Sequence, residues 1–209
     1  MRKHSSRDAA ILNLAKKGPL RARDLDALGV PRVYLRRLVE KGLLERVDRG
    51  LYLHAEAQVT ELHSVAEVLK RVPSGTVCLV SALQIHGLTT EVPHAVWVLI
   101  DRHARAPRIA SPKVEFVRAS GTALKHGVEL RIIEGVSVQL TSPAKSVVDC
   151  FRYRRHVGLE VALAALRDYL RRANGRPKSR GEYTLDALAA AAKVTRTANL
   201  LRPYLEALA

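Results

Sequence analysis

The sequence predicts an α+β protein in two parts, residues 1–56 and residues 57–209. Three observations predict it. Short runs with helical spacing fill the start of the chain and give way at once to two alternating segments around Asp48-Arg49-Gly50. Residues 95–141 then hold several strand-like runs separated by turn residues. From Pro143 onward helical periodicity returns and holds to the end. Strands grouped together and followed by helices give a mixed sheet with helices beside it.

Taken in order, RDAAILNLAKK at 7–17 spaces Ile11, Leu14 and Ala15 for one helix face, and Gly18-Pro19 ends it. Residues 21–28 predict a second short helix with Leu25 and Leu28 apolar and Gly29 at its C-cap. Pro31 suits the first turn of a third helix, 31–41, because its missing N–H has no helical partner there. Gly42 stops that helix, and LLERV and GLYLH predict a hairpin. Three short helices followed by a two-stranded hairpin is the winged helix-turn-helix order.

Beyond residue 56 the pattern changes. ELHSVAEVLKRV at 61–72 is an amphipathic helix broken by Pro73-Ser74-Gly75. TVCLVSALQIHGL turns into a short helix, with Ser81 read as its N-cap and His86 near its C-cap before Gly87. Strands are expected at 95–102, 114–119, 129–134 and 136–141, with Gly135 in a tight turn. Residues 121–127, bounded by glycines, are read as a turn. Ser142-Pro143 starts a helix, Ser142 as N-cap and Pro143 at the first position. Helices follow at 158–172, near 184–192 and at 196–208, with the polar loop NGRPKSRGE at 174–182.

Composition says what such a protein meets. Nearly half of the 209 residues are hydrophobic but only 4% are aromatic, so aliphatic side chains and Ala fill the core. The formal charge of +15 selects a polyanion or an acidic protein surface as partner. Residues 1–56 carry +6, 57–150 only +2, and 151–209 +7, so both ends are basic and the middle is near neutral. MRKHSSRDAA lacks the apolar stretch of a signal peptide, and no apolar run approaches the about 20 residues that span a bilayer. Cys78 and Cys150 lack CxxC spacing and read as reduced thiols, the alternative being a single structural disulfide in an exported protein. The expected setting is the cytoplasm.

In helix 31–41, Leu35, Leu38 and Val39 define the buried face, and Val33, Arg36, Arg37 and Glu40 stand opposite. The second helix of a helix-turn-helix enters the major groove. Arg32, Val33, Arg36 and Arg37 are therefore the candidate base readers: arginine bridges the two guanine acceptors, and valine packs on a thymine methyl. Tyr34, Arg21 and Arg23 are placed for phosphates, and Arg46 and Arg49 lie at the hairpin, within reach of backbone or the adjacent minor groove.

Three stretches in this order carry a family resemblance: RRLVEKGLLERVDRGLYL at 36–53, SALQIHGLTTEVP at 81–93, and GVELRIIEGVSVQLTSPAKSVVDCFRYRRHVG at 127–158. Together the chain resembles the AbiEi antitoxins of type IV toxin–antitoxin pairs. The resemblance implies a DNA-binding domain at 1–56 that represses the operon's promoter. It also implies an antitoxin domain at 57–209 that neutralises a toxin of nucleotidyltransferase fold. The C-terminal helices vary in that family, so no toxin-facing residue is carried over. The basic run Arg152, Arg154 and Arg155, then Arg167, Arg171, Arg172 and Arg176, has two readings on charge alone: solvated helix faces, or a docking surface for an acidic toxin face or extra DNA backbone, for which Arg152, Arg154, Arg155, Arg171 and Arg172 are the candidate partner residues.

Enzymatic patterns fall away. Ser81 and His86, five apart, face different ways on a helix. Ser142-Pro-Ala-Lys145 matches S-x-x-K without the companion motifs of penicillin-binding enzymes. Asp149 is read into a buried polar network with Arg152 or Tyr153, and Asp101 is its nearest candidate as a second catalytic acid. The histidines lack metal-site spacing and no phosphate-cradling glycine loop ends in Lys-Ser/Thr, so neither metal nor cofactor is expected. Two other readings stay open: an enzyme that inactivates its toxin by atypical phosphoryl transfer, and a plain winged-helix transcription factor sensing a small ligand.

Overall fold

The computed structural model describes residues 6–57, 60–175 and 183–208. They form two compact units: one runs to Arg71 and includes Ile132–Ser137, and the other comprises Val72–Arg131 and the residues from Val138 on.

The first unit begins with α1 (Ser6–Ala15), whose Ile11, Leu12 and Ala15 are buried. Strand β1 (Leu20–Arg21) follows, then a 3₁₀ helix over Ala22–Leu28 that ends at Gly29 in the left-handed region. Helix α2 (Val33–Glu40) buries Leu35 and Leu38, with Pro31 and Arg32 in the turn before it. Strands β2 (Leu44–Asp48) and β3 (Leu51–His54) form the hairpin, and β1 completes a three-stranded sheet in the order β1-β3-β2. One core joins α1, the 3₁₀ helix, α2 and β2 through Ile11, Leu20, Leu25, Leu35, Leu38 and Leu44.

The sequence places a boundary after residue 56, yet α3 (His63–Arg71) and the turn at Ile132–Ser137 cluster with the first unit. Ion pairs hold α3 there: Lys70 meets Asp24 at 2.7 Å and Arg71 meets Asp48 at 3.2 Å. Glu134 accepts from the Thr60 amide at 3.0 Å, the Thr60 hydroxyl at 2.6 Å and His63 Nδ1 at 2.7 Å. Glu134 and Gly135 both have positive φ, 46° and 70°, the conformation of a two-residue hairpin turn. A Cβ on Gly135 would lie 2.2 Å from the Lys17 carbonyl oxygen, so only glycine permits this approach.

The second unit is a five-stranded mixed sheet covered by helices. Its elements are β4 (Thr76–Val77), α4 (Leu79–His86), β5 (Val96–Asp101), β6 (Val114–Ala119), α5 (Thr122–Lys125), β7 (Val128–Ile133) as far as Arg131 and β8 (Val136–Thr141) from Val138. Helices α6 (Pro143–Arg152), α7 (Arg154–Val157), α8 (Leu159–Asn174), α9 (Leu185–Val194) and α10 (Ala198–Leu208) follow. The strand order is β6-β5-β4-β8-β7. Strand β4 runs antiparallel to β5 and parallel to β8, and β5 runs parallel to β6. Helix α6 is central: it packs on α4, α8, α9 and α10, and every residue from Pro143 to Phe151 is buried.

Several sequence expectations change here. Cys78, not Ser81, occupies the α4 N-cap; Ser81 lies inside the helix, where its hydroxyl accepts from the Trp97 amide at 3.0 Å. Residues 122–125, read as part of a turn, form the short helix α5. Asp149 pairs most directly with Lys145 one turn back, at 2.6 Å, because residues four apart share a helix face, and Arg152 also attracts its carboxylate. Burial pushes the Asp149 carboxyl up against the pull of Lys145. Ser142 caps α6 as expected, accepting from the Lys145 amide. Both cysteines are buried free thiols, and burial pushes each well up. Most of the loop read at 174–182, and Arg176 within it, lies outside the described residues.

Candidate nucleic-acid interface

Helix α2 turns Leu35 and Leu38 inward, and this leaves Arg32, Val33, Arg36, Arg37 and Glu40 exposed on its other side. Val33 is 66% exposed, an uncovered apolar side chain in the first turn of the helix. Arg36 pairs with Glu40 at 2.8 Å and Arg32 with Asp26 at 3.0 Å, both in solvent. Such exposed pairs hold their partners weakly, so a phosphate or a base edge competes with them readily.

Tyr34 is half-buried, and its hydroxyl accepts from Arg7 Nη1 at 3.3 Å while the Arg7 guanidinium stands 5.9 Å from the ring centre. The sequence does not reveal this role of Arg7, because a contact between residues 27 apart leaves no mark in periodicity. Arg23 is exposed. Arg21 is drawn inward instead: its guanidinium donates to the Lys70 carbonyl at 2.9 Å, and burial and then Arg23 push its pKa down. The structure therefore does not bring Arg21 together with the exposed arginines of α2.

The hairpin is shaped by an acid. Asp48 accepts from the Arg49 amide at 2.6 Å, and its carboxylate also holds Arg71 of α3. A register shift between Arg46 and Asp48 bends β2 at the same point. Arg46 donates to the Asp48 carbonyl at 3.2 Å, and both Arg46 and Arg49 remain exposed. Arg71 is thus a positioning residue for the wing, which sequence alone does not reveal. Lys41 reaches back from the end of α2 to the buried Asp8 of α1 at 3.1 Å, tying two helices together.

The five arginines of the candidate partner surface separate into different roles in the second unit. Arg155 is exposed. Arg152 donates to the Thr195 carbonyl at 3.3 Å and Arg154 to the Phe151 carbonyl at 3.2 Å. Arg171 is exposed and pairs with Asp168. Arg172 is built in: it meets Asp168 at 2.7 Å, donates to the carbonyls of His86 and Gly87, and lies 5.4 Å from the Tyr183 ring centre. A cation is well placed there, at the carbonyl end of α4.

The residues weighed for catalysis are engaged structurally. The Ser81 hydroxyl lies between the backbones of Ala95 and Trp97. His86 Nε2 donates to the Thr141 carbonyl at 2.7 Å. Lys145 Nζ faces Asp149. Among the described residues no cluster of three His, Cys, Asp or Glu side chains suits a metal, and no helix is long and apolar enough to cross a membrane.

Comparison with known proteins reaches the first of the three stretches that carry the resemblance, 36–53. The structure is similar to that of the RV2827C protein from Mycobacterium tuberculosis, with a TM-score of 0.57 over 97% of this chain and 83% of that one at 16% identity, a likeness of fold. No curated protein matches the chain. Residues 8–53, from α1 through β3, match the family model described as transcriptional regulator, AbiEi antitoxin, and over that stretch the chain carries the AbiEi pattern.

Proposed function

We propose that this chain is an antitoxin that represses its own operon. Residues 1–56 bind double-stranded promoter DNA as a winged helix, and residues 57–209 neutralise a cognate toxin of nucleotidyltransferase fold. The observation that carries the DNA half is α2: Arg32, Val33, Arg36 and Arg37 stand uncovered on the helix that follows the Gly29 turn. In this reading α2 enters the major groove, Arg46 and Arg49 of the hairpin touch flanking backbone, and Tyr34 and Arg23 contact phosphates. Arg21 contributes by holding α3 rather than by touching DNA. The protein acts in the cytoplasm, without cofactor or metal, and is not an enzyme.

The toxin half rests on the AbiEi match and on the basic character of residues 151–209. Arg155 and Arg171 are its best surface candidates, because both are exposed while Arg172 is committed to the fold.

Fluorescence anisotropy with a duplex from the chain's own upstream region, at two salt concentrations, tests the first half. Tight binding that weakens as salt rises is expected, and absence of salt-dependent binding to any duplex would falsify it. Co-expression with a nucleotidyltransferase-like gene from the same operon tests the second, with restored growth expected. Incubating toxin, chain and ATP and then weighing the toxin separates this reading from covalent inactivation; an added phosphoryl mass would favour the enzyme.

A further inference from the structure

The second unit holds a concave site that includes Arg152 and Arg154 of the basic run but neither Arg155 nor Arg171. A cavity of about 610 Å³ opens between the loop after β6, the end of α6 and the connection from α9 to α10. Arg152, Arg154 and Arg196 line it together with the hydroxyl-bearing Ser120 and Thr122, and no Asp or Glu is among its walls. Asp149, one turn before Arg152 on α6, is already paired with Lys145 at 2.6 Å.

Two of the arginines are anchored. Arg152 donates one N–H to the Thr195 carbonyl and Arg154 one to the Phe151 carbonyl, each a single bond from a group that carries five donors. These bonds fix the guanidinium groups at the wall and leave donor capacity in each.

Arg196 is the most informative of the three. It follows α9 with φ of 57°, the left-handed position that closes a helix. Around it the Arg196 amide donates to the Lys193 carbonyl at 3.2 Å and the Thr197 amide to the Ala192 carbonyl at 2.9 Å. Glycine adopts this conformation without steric strain, and an arginine does not. The chain accepts the strain at a position whose side chain lines a cavity already holding two other arginines.

We infer that this cavity binds a small phosphorylated anion of the nucleoside diphosphate or polyphosphate class. Guanidinium groups match phosphate oxygens in pairs, and hydroxyls supply further donors. The volume lies within the range of small-molecule sites, about 300–1,000 Å³, which leaves room for a nucleoside beside the phosphates. Val194 and Leu200 on the wall offer the apolar surface that a base or sugar would meet. The inference is independent of the DNA and toxin readings.

The test uses the full chain, titrated calorimetrically with ADP, inorganic pyrophosphate and adenosine in chloride buffer. ADP and pyrophosphate should saturate one site and adenosine should not. Arg196→Gly should leave the melting temperature unchanged or raised, because glycine suits the backbone there. The same change should weaken ADP roughly tenfold, about what one charge-assisted contact contributes. Arg154→Met should weaken ADP similarly, and Arg36→Ala, on the DNA-facing helix, should not. Absence of saturable binding, equal binding of ADP by Arg196→Gly and the unaltered chain, or adenosine binding as tightly as ADP would each overturn the inference. Loss of duplex affinity in Arg196→Gly with ADP binding unchanged would also overturn it and assign these arginines to the DNA backbone.

Discussion

Replacing Gly135 with alanine isolates the close approach that joins Ile132–Ser137 to the first unit. Two penalties combine. The first is conformational: alanine at φ of 70° loses about 1 kcal/mol relative to glycine. The second is steric: the new Cβ would stand 2.2 Å from the Lys17 carbonyl oxygen, well inside ordinary contact, so one backbone must retreat by over an ångström. Overpacking of this kind costs about 1–3 kcal/mol. The expected total is about 2–4 kcal/mol. Gly29→Ala is the matched control, since Gly29 has φ of 60° and nothing within 4 Å of its would-be Cβ, leaving only the conformational loss of about 1 kcal/mol. Urea unfolding followed by circular dichroism gives both values, and amide exchange of Leu44–His54 reports the first unit directly. A Gly135→Ala variant no less stable than Gly29→Ala would show that the approach to Lys17 is not maintained in solution.

Other outcomes follow from the same geometry. Arg36→Ala and Arg37→Ala should each weaken operator binding by about 1–3 kcal/mol if they read bases; if they touch phosphate instead, the slope of log affinity against log salt should fall by about 0.9 apiece, as anisotropy titrations measure. Lys145→Ala strands the buried Asp149 and should lower stability by about 3–5 kcal/mol in chemical denaturation, whereas replacing both residues with apolar side chains should cost much less. Burial alone would raise the Glu134 carboxyl, but hydrogen bonds from Thr60 and His63 hold it below its ordinary value. Its folded pKa being depressed, its contribution to stability is present above the ordinary glutamate range and lost as pH falls through and below it. Melting temperatures of Glu134→Gln should therefore fall less between neutral and acidic pH than those of the unaltered chain.

The sequence carried the elements whose signals are local. Helix α2 was legible because Leu35 and Leu38 keep helical spacing between Pro31 and Gly42, and β6 and β8 because turn residues bound them on both sides. Strand β1 was not, since Leu20–Arg21 is too short to show alternation and is defined by its partners in β3. The start of α4 was misplaced because Leu79, with φ of 49°, joins a helix that no serine caps. The arginines of the candidate interface were readable from helix phase, but their supports were not. Arg7 on Tyr34, Arg71 on Asp48 and Arg21 on Lys70 are contacts between distant residues that exist only once the chain has folded. The Lys145–Asp149 pair is legible in its four-residue spacing.

Ile132–Ser137 belongs to the same compact unit as α1 and α2, although sixty residues of the other unit, Val72 to Arg131, intervene between Arg71 and Ile132. On the ribosome the helix-turn-helix leaves the exit tunnel early, with the Lys17 carbonyl, Thr60 and His63 still lacking the turn they meet. The carboxylate that answers Thr60 and His63 arrives only after β4 to β7 have been synthesised. A nascent chain, or a product cut short by an early stop codon before Glu134, therefore presents α2 on an unfinished unit, so that completion of this unit marks a translation event well past its own coding start.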